Sequence, residues 1–502
     1  MGDILEDLPS RAHPHVVPLR IQKKYNLQTS YFYLDLWPFS DPIMYVFDPD
    51  IAKQVAQDNN TPKHNSLHEF MYHLSGPGSL VALEGAQWKK WRSIFNPGFQ
   101  ASHLMTLTSL IVDEAIVFVE KLGEHAEKGE VFRLEEDATR LTVDIIGKVA
   151  LEVDLGTQRG EHEMVTAFRE QVHLLPNEGM SDPLKMYYPS GIYRRWRNMR
   201  IMKGYIGNVL EERFARQDQR PNSEKKQRKR AIVDLAIEAY REQSTEIEQT
   251  KASTGLNQEF KQAAITQMLT FVFAGHDTTS TTICYAAYEL QKQPECLARL
   301  RKEHHDILGS VEDTPQVIRD QPHILNKLEY TMCVIRETLR LWAPASTPRT
   351  GYPGLMLRDP KTGESLPTGN PLLLWIVHYA QHRSPEIWGD NAETFDPSRF
   401  LPENAAKLHE NAWRPFEKGP RNCIGQDLSL IEARVVLALV ARRFEFRAAY
   451  DSLDEVKNDG SFYAKNEGWR KGKQDIDGEQ AYPILLGTAK PREGMPVRVK
   501  KV

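Results

Sequence analysis

The ten residues from Phe416 to Gly425, F-E-K-G-P-R-N-C-I-G, constrain this chain more than any other stretch. They fit the pattern F-x-x-G-x-R-x-C-x-G. Its five fixed positions coincide by chance in roughly one chain of this length in several thousand, at about 5% usage per residue type. In physical terms this is a loop that presents one thiolate to a metal. Gly419 and Gly425 permit tight turns and a close approach of backbone to a flat ligand. Arg421, and the free N–H groups of a helix start predicted after Cys423, can stabilise negative charge on sulfur or on a bound carboxylate.

Composition adds limits rather than detail. The 502 residues are 40% hydrophobic, enough for an extensive buried core. With 64 basic and 68 acidic side chains the formal charge is -4, which argues against nucleic acid as the main partner. No repeat or low-complexity linker divides the chain. The basic run Lys225–Arg230 reads as a solvated connection between helices, with a targeting or anion-binding patch as the alternative. Of the four cysteines, Cys284 and Cys333 fall in apolar helical patterns as small core residues, and Cys296 follows Pro294 near a helix start. None forms a C-x-x-C pair, so neither a zinc site nor a disulfide framework is expected, and the usage fits a reducing, cytosol-facing setting. Residues 1–27 are charged and proline-bearing, without a signal peptide or membrane span, and read as a lead-in without an anchor. Glu6 stands where a myristoylation motif needs Ser or Thr.

Periodicity divides the remainder, 28–502, into one mainly helical α+β domain. Alternation over about 28–55 predicts a β-hairpin. Helical periods fill about 85–310, including Leu104–Leu122, Ala138–Leu151, Ile201–Phe214 and Ala231–Tyr240, and a long amphipathic pattern covers Asn257–Lys292. Another helix runs from Asn326 to Leu341 and stops before Pro344. Gly and Pro punctuate about 347–380 into strands and turns, helix returns at about Ser429–Phe444, and loops with short strands close the chain.

Three further patterns carry chemistry. Glu337 and Arg340 are three apart on one helix face and can pair. E-x-x-R alone is common and most often a weak surface pair; here the helix is apolar on both sides of it. Ala274-Gly-His-Asp-Thr-Thr279 is a poor helix interior, which implies either rescue by packing or local opening for a purpose. Trp88 and Arg92 lie one turn apart on a single face, a pattern that is weak by itself.

Together, and in this order, these motifs resemble the cytochrome P450 family of haem-thiolate monooxygenases, from about residue 30 to residue 500. The resemblance implies that fold, with a large helical part and a smaller β-rich region at about 28–55 and 347–380. It implies haem b with Cys423 as the axial thiolate, a ligand that pushes electron density onto iron and favours O–O cleavage. Arg399 becomes the third member of a buried structural network with Glu337 and Arg340. Ala274 and Gly275 belong to the oxygen-binding groove, where Thr278 hydrogen-bonds the outer oxygen and Asp277 relays protons from solvent, since heterolysis of the O–O bond needs protons delivered there. His276 takes the variable position and no role. Trp88, Arg92, Arg349 and Arg421 are implied to hold the haem carboxylates, for which the guanidinium fork is suited. Phe416 either shields the sulfur or is an ordinary core aromatic. Glu417 and Lys418 depart from the commoner form, which has small residues there, and resemble a variant found in filamentous fungi. That likeness implies a monooxygenase of fungal secondary metabolism, acting on a natural-product intermediate.

Partners follow from the same resemblance: NADPH through a cytochrome P450 reductase, with Lys89, Lys90 and Lys418 as either its docking face or a solvated basic surface, and a position at the cytosolic surface of the endoplasmic reticulum. Substrate-facing segments by analogy are 67–83, 171–192, 268–273, 345–347 and 485–488, whose Phe70, Met71, Tyr72, Leu74, Phe271 and Phe273 imply a dry cavity for a hydrophobic molecule. The aromatic and cationic stretch from Pro183 to Arg197 reads either as a membrane-surface segment or as a capping loop. Alternatives are the same fold used as an isomerase, dehydratase or peroxygenase, and a non-catalytic haem sensor; retention of the Asp277–Thr278 pair ranks both below the monooxygenase.

Overall fold

One long helix organises the molecule in the computed structural model, which describes residues 7–38, 40–175, 187–218, 231–247, 256–369, 371–464 and 472–502. The run Lys225–Arg230 and the Pro183–Met186 part of the aromatic stretch lie outside the described residues. The helices that matter for the site are α1 (Gly85–Phe95), α2 (Thr108–Lys128), α3 (Leu134–Ile146), α4 (Glu163–His173), α5 (Pro189–Asp218), α6 (Gln258–Lys292), α7 (Pro294–Leu308), α8 (Glu329–Leu341) and α9 (Gln426–Val440).

α6 starts where the Asn257 side chain accepts from the Glu259 N–H at 2.7 Å, and ends at Gln293-Pro294. The expected amphipathic stripe is absent: every residue from Ala264 to Phe273 and from Thr279 to Ala286 is buried. A helix enclosed by neighbours on all sides has no wet face to keep polar. Nor does the helix open at Ala274–Thr279. The hydroxyls of Thr278, Thr281 and Thr282 donate to carbonyls one turn back, at 3.1, 3.1 and 2.9 Å, and packing supplies the rest. Leu104–Leu122 is not one helix either. The chain breaks at buried Leu107, whose N–H turns back to Leu104 O at 2.9 Å before α2 begins.

The strands are β1 (Tyr31–Leu34), β2 (Ile43–Val46), β3 (Phe132–Arg133), β4 (Thr347–Thr350), β5 (Met356–Arg358), β6 (Ser365–Pro367), β7 (Leu373–Ile376), β8 (Phe444–Ala448), β9 (Pro483–Leu486), β10 (Thr488–Pro491) and β11 (Pro496–Lys501). The main sheet has the order β1-β2-β7-β4, with β2 and β7 parallel and Ile43 opposite Leu373. β5 and β6 form a hairpin, β9 and β10 another, and β11 lies between β3 and β8. The main sheet carries Arg349 on β4, and a backbone bridge ties it to Lys63.

The segment read as a lead-in is packed into this framework. Val16, Val17, Leu19 and Ile21 are buried in one cluster with Phe47, Val377 and Ile484, because a short helix from Val17 to Tyr25 turns its apolar side onto the sheet and the β9 strand. Cys284 and Cys333 are core residues.

α6 and α3 approach closely where α6 has no side chain. A Cβ on Gly275 would lie 2.8 Å from Ile146 Cγ1 and Cδ1. Gly275→Val is therefore expected to lower stability by about 1–3 kcal/mol, read as a lower urea midpoint, and Ile146→Ala in the same chain is expected to recover part of the loss.

Candidate functional site

A cavity of about 280 Å³ lies between α6 and the cysteine loop. Its walls include Phe271, Ala274, Gly275, Thr278 and Thr279 on one side and Phe416, Cys423, Ile424 and Gly425 on the other. The loop is held in shape by its own backbone: Cys423 N–H donates to Phe416 O at 2.9 Å, and Asn422 N–H to Gly419 O at 3.2 Å. Gly419 has φ +87, and a Cβ there would meet Ala56 O at 3.0 Å, so the turn requires glycine. Gly425 caps α9, placing the thiol at the positive end of that helix. The Cys423 sulfur is accessible from the cavity, but its depth below the surface pushes the thiol up, while the Gly425 N–H and the Arg92 guanidinium pull it down.

One margin of the cavity holds more buried cations than anions. Arg349 stands just behind the wall, fully buried. It donates from Nη1 to Thr61 O at 2.6 Å, and among the described residues its Nε and Nη2 have no partner. Lys63 lines the cavity beside it, and burial, together with the charges of Arg349 and Arg421, lowers its pKa to about 7. Arg421 and Arg92 line the cavity too, but protein groups already satisfy much of each. Arg421 bonds Glu84 at 2.6 Å and Leu83 O at 2.6 Å and stacks 4.6 Å from the Trp88 ring centre. Arg92 clamps the cysteine loop through Asn422 O and Oδ1, both at 2.8 Å, with Nε on Asn96. Glu417, in a left-handed conformation, is buried between Arg414 at 2.7 Å and His378 at 3.3 Å, and these contacts outweigh burial and hold its carboxyl well below the usual range.

Asp277 and Thr278 are adjacent yet face different ways. Thr278 lines the cavity. Asp277 is buried behind α6, with Oδ1 2.8 Å from Lys490 and Oδ2 accepting from Thr488 at 2.5 Å. Lys490 also pairs with Glu135, which takes the Thr139 hydroxyl at 2.7 Å and the Tyr463 hydroxyl at 3.2 Å. His276 is buried and spends Nδ1 on Val272 O.

Below the cavity, Glu337 and Arg340 of α8 form a bidentate pair with two bonds of 2.7 Å, both residues fully buried. Arg340 also binds the carbonyls of His382, Ala392 and Thr394 at 2.6, 2.6 and 3.0 Å. Arg399 joins with Nε 3.4 Å from Glu337 and its other nitrogens on Trp388 O and Asn391 O.

The sequence model of the cytochrome P450 family matches residues 4–467 of this chain. The chain belongs to that family. It is similar to the cytochrome P450 monooxygenase acrF of Aspergillus aculeatus, 38% identical over 98% of this chain and 98% of that protein. It is also similar to the cytochrome P450 monooxygenase polC of Polytolypa hystricis, 34% identical over 100% of this chain and 87% of that protein. Human cytochrome P450 4B1 is 28% identical over 85% of this chain and 82% of its own length. As a P450 the protein is an oxidoreductase, and the family implies a haem-thiolate cofactor. The residues present fit that group: an open thiol on the cavity wall, and at the margin two Arg349 nitrogens without partners among the described residues, beside the half-buried Lys63.

Reasoning from the P450 motifs missed Lys63, His378 and Glu417. Lys63 sits in no motif, and His378 only follows the apolar run of β7. Glu417 was noticed solely as a departure from the common pattern. Several expected substrate-facing residues do not reach the cavity wall. Phe70 packs on Phe273 with ring centres 5.8 Å apart, Met71 and Leu74 are core, Tyr72 is 57% exposed, and Thr488 instead serves Asp277. Leu80, Val81, Thr270, Ala345, Ser346 and Thr347 do reach it.

Two outcomes follow from the buried ion pairs of this P450. Glu337→Gln strands the Arg340 charge and is expected to cost about 3–5 kcal/mol in urea unfolding. Burial raises the Glu135 carboxyl, but Lys490, the Thr139 hydroxyl and Arg169 outweigh it and hold the pKa at about 2, against an ordinary 4.5. A depressed carboxylate stabilises the fold fully above the ordinary value and progressively less as pH falls towards the depressed one. The stability difference between the native chain and Glu135→Gln should accordingly shrink from about pH 5 to about pH 2 when unfolding is followed across that range.

Proposed function

We propose that this P450 inserts one oxygen atom from dioxygen into a small hydrophobic molecule, a fungal natural-product intermediate, with electrons from NADPH passed through a cytochrome P450 reductase. The observation that carries the reading is one cavity that has the Cys423 thiol on one wall and the Thr278 hydroxyl on another. Bound there, haem supplies dioxygen activation, with electron density pushed onto iron by the thiolate.

The chain's own residues have distinct parts in this reading. Cys423 ligates the metal, and Phe416, packed against Trp413 with ring centres 6.0 Å apart, shields the sulfur. Lys63 and Arg349 hold the carboxylates of the cofactor, and an anion there returns Lys63 to its charged form. Trp88, Arg92 and Arg421 shape the same margin. Gly425 and Ala274 keep the faces clear of side chains. Thr278 Oγ1 rests on Ala274 O at 3.1 Å and presents its lone pairs to the cavity. Asp277 relays protons to it, and must let go of Lys490 or Thr488 to do so; Lys490 keeps Glu135 as a partner in that event. Leu80, Val81, Phe99, Ile146 and Phe271 exclude water and select an apolar substrate. Likeness to acrF and polC, cytochrome P450 monooxygenases of Aspergillus aculeatus and Polytolypa hystricis, supports the monooxygenase part of this reading.

Exposed Lys89 and Lys90 on α1 support a docking face for an acidic reductase. Tyr187, Tyr188, Ile192, Tyr193 and Trp196 are exposed at the start of α5, Tyr187 by 73%, among Arg194, Arg195 and Arg197. Aromatics mixed with cations support peripheral contact with the cytosolic face of the endoplasmic reticulum. Among the described residues no helix is long and apolar enough to cross a membrane.

Two variants test the reading. Cys423→Ser should bind haem yet lose the red-shifted carbon monoxide spectrum peculiar to thiolate ligation; retention of that spectrum would refute the proposal. In Thr278→Ala, product formed per NADPH consumed should fall on the order of 10²-fold with haem content unchanged. Unaltered coupling would remove Thr278 from proton delivery.

A further inference from the structure

A second cavity, of about 240 Å³, lies further along the α6–α9 pair, towards the C-terminal ends of both helices. Phe118 of α2, Leu134 of α3, Ile283 of α6, and Val436 and Val440 of α9 wall it, all of them buried, with Ala287 half-buried beside them. Among the described residues, Gln291 and Glu445 are the two polar side chains on the wall. Both are half-buried, and both are engaged with groups outside the lining. Gln291 Oε1 accepts from the Ala448 N–H at 2.6 Å, and Glu445 pairs with Lys500 at 2.7 Å and Arg301 at 3.5 Å. The wall is mostly hydrocarbon, and it reaches the surface beside exposed Pro294. An apolar void of about 150 Å³ already takes up benzene or xenon.

The position of the cavity gives it a consequence. α6 walls the cysteine cavity with Thr278, Thr279 and Thr282, and this second one with Ile283, Ala287 and Leu290. α9 does the same, with Gly425, Leu428 and Ser429 in the first and Val436, Leu437 and Val440 in the second. On the first-cavity side the two helices are joined by the Thr279 and Ser429 hydroxyls at 3.1 Å. Val436 is seven residues from Ser429, about 10 Å along the helix axis. An occupant of the second cavity therefore presses on the same faces of the helix pair that frame the reacting centre, two turns further along.

We propose that this cavity is a regulatory site for a second small molecule, an unfunctionalised aromatic or aliphatic hydrocarbon of about six to ten carbon atoms, whose binding changes the affinity of the cysteine cavity for its own ligand. Apolar ligands are favoured because most of the wall is hydrocarbon. Coupling between the two sites is reciprocal, so a ligand in either one alters binding in the other by the same factor.

The full-length haem-loaded protein tests this with benzene and xenon as probes. Crystals pressurised with xenon should show the atom between Ile283 and Val436, a measurement independent of any activity. Saturating benzene should raise the thermal midpoint and shift the apparent Kd for imidazole, read from the haem spectrum, by about fivefold. Ala287→Phe and, separately, Val440→Phe fill the space and should abolish both effects while keeping the haem spectrum. Absence of xenon from the cavity overturns the proposal. So does a benzene effect that survives both filled variants, or benzene binding that leaves imidazole affinity unchanged. Should either variant fail to fold, the xenon position in the native chain still decides.

Discussion

The Glu337–Arg340 pair is the interaction on which the site rests. Two charges with no solvent exposure would be costly if either lacked a partner, so every lone pair and N–H at this point must be met. Arg340 meets this demand with carbonyls from His382, Ala392 and Thr394, and Glu337 with the Asp396 N–H at 2.8 Å and the Arg399 guanidinium. A short helical segment thus fixes the irregular chain that leads into the cysteine loop. His382 extends the same frame, with Nε2 accepting from the Arg414 N–H at 3.0 Å. The backbone bonds of that stretch are mostly local turns, so it is the side-chain network that ties it to α8.

Around the cavity the electrostatics are arranged in two separate groups. At the margin, Lys63, Arg349, Arg92 and Arg421 outnumber the nearby carboxylates Glu84 and Glu417, and two Arg349 nitrogens stay unpaired among the described residues. A buried positive excess of this kind is costly in isolation and suits a carboxylate-bearing cofactor. Behind α6, Asp277, Lys490 and Glu135 form a closed group in which one ammonium lies between two carboxylates. That sharing lets either carboxylate be released without leaving Lys490 bare.

Much of the site was legible because its residues are close in sequence and their chemistry dictates type. A thiolate loop needs its glycines and its arginine at set offsets from Cys423, and E-x-x-R pairs through one helical turn. The strands near 31–46 and 347–376 could be read from alternation and turn residues. Lys63, His378 and Glu417 were not legible, since each acquires meaning only from a neighbour far along the chain: Arg349 for Lys63, and Arg414 with His378 for Glu417. The break at Leu107 escaped notice because apolar periodicity continues through it. The amphipathic reading of α6 failed for a related reason, since periodicity says nothing about how many neighbours surround a helix.

The amino-acid order by itself determined the helical class, the family, the loop that presents Cys423 and the partners in the Glu337–Arg340 pair. All of these are set by residue types at short, fixed spacings. Tertiary structure alone decided that Asp277 turns away from the cavity to meet Lys490, that Arg92 and Arg421 are largely spent on protein groups while Arg349 keeps free donors, and that Phe70 and Phe273 pack on each other rather than on a ligand. Adjacent helical residues differ by about 100° in direction, so whether a side chain faces a cavity or an ion pair depends on what packs against each side, which local spacing does not encode.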